Sequence, residues 1–172
     1  MKTNIIKWST LILAMVIAFS SCKKDSDTAE IISTTPTEYL TAGSWKITAM
    51  TIDPGVDIGN GILLTDVFSL LDACEKDDLM VFNTNGTITA DEGVLKCNPD
   101  SPQTSNDGSW SLSSDNKTLT IIPAADNSED PTIQATVITL NNAELVMSFE
   151  SEGFAGDKNE SAAYKYSITM KK

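Results

Sequence analysis

From Leu40 to Met170 the chain is a succession of short segments in which apolar and polar residues alternate, broken at intervals by Gly, Asn and Asp. A period of two places successive side chains on opposite faces of a strand, so the apolar set is buried by pairing strands and folding one face inward. The pattern predicts strands at 44–52, 79–83, 87–91, 108–112, 117–122, 132–140, 144–149 and 162–170. The last is the plainest, with Tyr164, Tyr166, Ile168 and Met170 alternating with Lys165, Ser167 and Thr169. Turns are expected at Asn83-Thr84-Asn85-Gly86, Ser113-Ser114-Asp115-Asn116 and Asn141-Asn142, and Asn-Gly is a strong hairpin signal. Residues 93–106, with Pro99 and Pro102, read as a loop. Between the first two strands, Ile62, Leu63, Val67, Leu70 and Leu71 have roughly helical spacing, which predicts a short helix near 63–72.

Eight strands in meander order close into a small barrel with room for side chains or one ligand, and closure removes exposed edges. The expected fold is therefore all-β: an eight-stranded antiparallel meander barrel with a short helix in the insert after the first strand. The predicted inward set is Trp45, Met80, Phe82, Ile88, Trp110, Leu112, Leu119, Ile121, Leu145, Met147, Phe149, Tyr164, Tyr166 and Ile168. Two readings of it stand. It is a packed core, or it lines a cavity for one small ligand, with Trp45, Phe82, Trp110, Met147, Phe149, Tyr164 and Tyr166 as the candidate ligand-binding residues.

The start of the chain is of another kind. Lys2 and Lys7 precede an apolar run from Trp8 to Phe19, too short for a comfortable membrane span, and small residues Ser20 and Ser21 lead to Cys22. Residues 1–21 read as a secretion signal. Phe19-Ser20-Ser21-Cys22 resembles the lipobox of bacterial lipoproteins, although Phe19 departs from the usual aliphatic residue. The resemblance implies that Cys22 is lipidated and becomes the first mature residue; otherwise Cys22 is a free or paired thiol. The polar run Lys23-Lys24-Asp25-Ser26-Asp27 resembles the tags that send some Gram-negative lipoproteins to the outer membrane. Residues 22–38 are then lipid anchor and linker, and 39–172 the barrel domain. Asp27-Thr28-Ala29 resembles an O-glycosylation acceptor of exported bacterial proteins.

Removing a lipidated Cys22 leaves Cys74 and Cys97 in an oxidising compartment, where a disulfide is expected. It would close a loop of about 24 residues and stabilise the fold by roughly 3 kcal/mol. A redox-active pair is the alternative, without C-x-x-C spacing to support it.

The chain contains neither His nor Arg, which removes Ser-His-Asp and Cys-His relays, His-ligated metals and the bidentate guanidinium clamp for phosphate. It has 24 acidic against 12 basic residues; without residues 1–21, and so without Lys2 and Lys7, the balance is 24 against 10, or −14. Such a charge repels nucleic acid. Acidic clusters occur at Glu75, Asp77 and Asp78, at Asp53, Asp57 and Asn60, and at Asp126, Glu129 and Asp130. None has EF-hand spacing, and solvated loops, a cation site or a hydrolytic carboxylate pair are the readings open to them. No metal or other cofactor is expected, and no enzymatic activity.

Gly43-Ser44-Trp45 resembles the Gly-x-Trp of lipocalins, whose tryptophan plugs the closed end of the barrel. Ala73-Cys74-Glu75-Lys76-Asp77-Asp78, Phe82-x-x-x-Gly86, Gly93-x-x-Lys96-Cys97 and Gly108-x-Trp110-x-Leu112 are similar to a family of lipocalin-like exported lipoproteins of Gram-negative bacteria. The resemblance covers roughly residues 38–170. Lipocalins usually set an arginine from the last strand against that tryptophan; here Lys165 or Lys171 is the expected substitute. The functional expectation is an outer-membrane-anchored module binding a small hydrophobic or amphipathic ligand. The alternative is a structural lipoprotein with a filled barrel that meets another envelope protein.

Overall fold

Strand β1 (Ser44–Asp57) is the seam of the fold, because it pairs with three other strands. Its first residues pair with β3 (Leu79–Phe82), Trp45 opposite Met80, and its far end pairs with β2 (Leu63–Asp66). Along its other edge it pairs with β9 (Ala163–Lys171), from Lys46 opposite Lys171 to Asp53 opposite Lys165. Between β3 and β9 run β4 (Thr87–Asp91), β5 (Thr104–Leu112), β6 (Thr118–Ile122), β7 (Ile133–Leu140) and β8 (Glu144–Glu152), each antiparallel to its neighbours. The β1–β9 pairing closes β1 and β3 to β9 into an eight-stranded antiparallel barrel, with β2 as a ninth strand outside the ring. The structure, a computed structural model, describes residues 34–125, 131–152 and 163–172. The expected signal sequence, Cys22, Asp27-Thr28-Ala29 and the acidic cluster at 126–130 lie outside the described residues.

Within the barrel the elements differ from expectation in several places. β1 runs on past Ile52 through Pro54, whose peptide bond with Asp53 is cis. Proline cannot donate to a ladder, but the β9 pairing ends at Asp53, so Pro54 lies where β1 has a partner on one side only. In the insert a short helix does form, as a single 3-10 turn, Phe68–Leu70, and residues 63–66 are strand instead. Ile62, Leu63 and Leu70 are exposed, so only Val67 and Leu71 of the helically spaced set find a surface to pack against. Finally, β5 begins at Thr104, inside the expected loop, because Asp91 through Thr89 pair with Thr104 through Asn106.

A helix precedes the barrel. α1 (Pro36–Thr41) takes in the last residues of the expected linker. Thr35 and Glu38 form a reciprocal capping box, Glu38 N–H donating to Thr35 Oγ1 at 3.3 Å and Thr35 N–H to Glu38 Oε2 at 2.6 Å, with Pro36 at the first helical position. α1 touches β3 and β7, which stand across the ring from one another, so it lies over one end of the barrel. Leu40 is fully buried there, and Trp45 Nε1 donates a 2.8 Å hydrogen bond to its carbonyl.

The largest fully buried side chains of this core are Leu40, Trp45, Phe82, Ile88, Leu119, Leu145 and Met170. A smaller cluster of Ile52, Val56 and Tyr164, backed by Val67 and Tyr166, packs along the far part of β1. Both clusters fall between Leu40 and Met170, and the sheet closes on itself. The described residues from 34 onward thus form one compact unit with its own core.

Candidate functional site

Strand register brings a set of apolar residues to one place inside the ring. Ile47 stands opposite Met170, Met147 opposite Ile168, and Ile121 opposite Ile133; directly opposed residues share a face. A register shift between Ile47 and Ala49 lets Ile47 and Met50, three apart, both pack on the core. These side chains do not fill the space they enclose. A cavity of about 290 Å³ is lined by Ile47, Met80, Ile121, Ile133, Met147, Phe149, Ile168 and Met170, with Pro123, Pro131 and Asp107. A second, of about 310 Å³, is lined by Trp45, Ile47, Met50, Leu71, Leu79, Met80, Ala90 and Met170, with Glu75, Asp78 and Asp107. The two share Ile47, Met80, Asp107 and Met170, and so adjoin.

The segment carrying Glu75 and Asp78 is fixed by covalent and polar ties. Cys74 and Cys97 form the expected disulfide, with Cα atoms 5.2 Å apart. Asp77 Oδ2 accepts hydrogen bonds from the N–H groups of Val94 and Leu95, at 2.6 and 3.0 Å. Gly93 makes this clamp feasible. Its φ is +62°, and a Cβ there would collide with the Asp77 carbonyl oxygen and lie 2.7 Å from Oδ2. The Leu95 N–H, then that of Val94 and the Lys46 charge, hold the Asp77 carboxyl below its ordinary pKa despite partial burial. Asp78 is pushed the other way, first by burial and then by the carboxylates of Glu92, Asp77, Glu75 and Asp91. Among the described residues, no group of three or more His, Cys, Asp or Glu is placed to hold a metal ion.

The seven candidate ligand-binding residues separate into two groups. Met147 and Phe149 line the first cavity and Trp45 the second. The other four line neither. Phe82 is fully buried and meets Trp110 edge-on at 5.8 Å, and Trp110 Nε1 donates to the Asn83 carbonyl at 3.1 Å. Tyr164 belongs to the Ile52 cluster, and Tyr166 stacks on Phe149 at 5.2 Å, backing the wall. Sequence reasoning missed Asp107, which follows the expected loop 93–106 with no periodicity to mark it. It missed Ile133 as a lining residue, although that residue lies within a predicted strand. Met170 was seen in the alternation of the last strand but not placed in the inward set.

No curated protein matches the chain. The family model of the lipocalin-like domain matches residues 41–147, from the end of α1 into β8 and more than half of the 172 residues. The matched region holds Trp45, both cysteines of the disulfide and most of the cavity lining, and β9 closes the ring beyond it. By that match and by its closed eight-stranded barrel, the chain belongs to the lipocalin-like domain family.

Proposed function

We propose that the protein is a lipid-anchored binding module of the bacterial outer membrane, tethered through Cys22, whose barrel holds a small hydrophobic or amphipathic ligand. One observation carries this reading: the barrel interior keeps an apolar cavity of about 290 Å³ where close-packed side chains would otherwise meet. Its walls of Ile, Met and Phe, with one carboxylate among the described residues, are those of a site that takes an apolar body and orients it by a few polar groups. With neither His nor Arg in the chain, a binding role is favoured over an enzymatic one.

A second reading, an interaction lipoprotein that meets another envelope protein, is favoured by a different feature. Ile58, Ile62 and Leu63 at the turn joining β1 and β2 are 59%, 57% and 62% exposed, outside the barrel ring. Native mass spectrometry of residues 23–172, purified from the producing cell's envelope, separates the two. A reproducible added mass that is lost on denaturation supports the carrier. A bare mass, with a copurifying protein, supports the interaction reading and counts against the carrier.

A further inference from the structure

Every charged side chain that lines the two adjoining cavities, among the described residues, is a carboxylate: Asp107 in both, Glu75 and Asp78 in the second. The remainder of the lining is apolar apart from backbone. We infer that the barrel selects amphiphiles with a cationic head, an alkyl amine rather than a fatty acid. The chain would lie between Ile133 and Met147, with the ammonium at the Asp107, Glu75 and Asp78 end. This deepens the proposed carrier role and rests on it.

The carboxylates meet an apolar cavity at its rim, where Asp107 is half-buried and Glu75 and Asp78 are exposed. An anionic head brought beside Asp107 would leave water for a site that offers it repulsion. A fatty acid would need a cationic partner to offset that loss, and no lysine lines either cavity among the described residues. An ammonium finds the opposite, since each carboxylate it approaches lowers its energy and its N–H groups are donors to acceptors. Asp78 adds to this. Four carboxylates, Glu75, Asp77, Asp91 and Glu92, act on it, so a cation arriving there relieves repulsion already built into the fold. The clamp of Asp77 on Val94 and Leu95, with the Cys74–Cys97 bond, fixes the segment that carries Glu75 and Asp78 beside the second cavity, where both side chains line its wall and remain exposed.

The test uses residues 23–172 and three probes of one chain length, dodecylamine, dodecanol and dodecanoate. Each is titrated at neutral pH, below its micellar concentration, against bound N-phenyl-1-naphthylamine. Dodecylamine is expected to bind about tenfold tighter than dodecanol, with dodecanoate weakest, as partly screened carboxylates would give. Raising the salt concentration should narrow the amine–alcohol gap in the unaltered protein. The triple variant Glu75→Gln, Asp78→Asn, Asp107→Asn should narrow it to within about threefold. Dodecanoate binding as tightly as dodecylamine, or a gap indifferent to salt, overturns the inference and leaves the carrier role standing. If none of the three displaces the dye or binds, the carrier role itself falls and the inference with it.

Discussion

Lys172 Nζ sits 4.7 Å from the centroid of the Trp45 ring and donates a 2.9 Å hydrogen bond to the carbonyl of Tyr39 in α1. Trp45 Nε1 donates to the next carbonyl, that of Leu40, so two carbonyls at the end of a six-residue helix are satisfied from the barrel. A cation on the plug tryptophan is therefore present, though not from the expected residue. Lys165 and Lys171 alternate with the inward Tyr164, Tyr166, Ile168 and Met170, and Lys171 instead pairs with Glu144 at 3.7 Å. Lys172 lies just past β9, free of its alternation, and its stem reaches back over the barrel end.

Lys172→Ala should destabilise the barrel by about 0.5–1 kcal/mol, the worth of an exposed cation–π contact. The urea midpoint reads this. Repeating the substitution in a Trp45→Leu background should show a smaller effect, since the partner ring is gone and only the hydrogen bond to Tyr39 remains to be lost; equal effects in both backgrounds would place the loss elsewhere.

Replacing both Cys74 and Cys97 with Ser should cost about 3 kcal/mol, because the bond closes a long loop in the unfolded chain. The same loss should follow reduction of the unaltered protein, with the barrel's far-ultraviolet circular dichroism retained below the transition.

Gly93→Ala and Gly43→Ala make a matched pair. Both glycines have positive φ, +62° and +118°, but nothing lies within 4 Å of a Cβ at Gly43, whereas at Gly93 the Asp77 backbone is in the way. Gly43→Ala should show only the conformational penalty, about 1 kcal/mol, and Gly93→Ala clearly more, about 2–3 kcal/mol. Equal melting shifts would mean that the loop at Val94 yields without strain.

The two adjacent carboxylates should respond to pH with opposite sign. Asp77 has its folded pKa lowered, so its contribution to stability is present above the unfolded value and is lost as pH falls through the folded one. Asp78 has its folded pKa raised, so the folded state holds that proton more tightly and stability is lost as pH rises through the folded value. Below about pH 4, Asp77→Asn should therefore lose less stability on acidification than the unaltered protein. Asp78→Asn should be at least as stable at neutral pH, with its advantage vanishing on acidification. Parallel curves of melting temperature against pH for all three proteins would contradict this.

The strands were legible in the sequence because alternation is the period of a half-buried strand, and the inward Leu119, Leu145 and Ile168 follow from it directly. The Cys74–Cys97 pairing was legible from parity and compartment. The continuation of β1 past Pro54 was not, since proline's position matters only through which edge is paired, a property of β9 rather than of Pro54. α1 was written in Thr35-Pro36-Thr37-Glu38, a capping signature, but with Leu40 as its one buried residue it offered no apolar stripe. The cavity was legible least of all. Ile47, Ile133 and Met170 look like core in any strand, and whether core side chains meet across a barrel depends on the radius that closure imposes.

The most direct test of a hollow barrel is equilibrium binding of N-phenyl-1-naphthylamine to residues 23–172, beside an Ile133→Trp variant that fills the space next to Met147 and Phe149. The unaltered protein should bind the dye saturably at one site, and the variant, checked to be folded, at least about tenfold more weakly, the equivalent of 1.4 kcal/mol. No saturable binding, or equal affinity in both proteins, would contradict a ligand site inside the barrel.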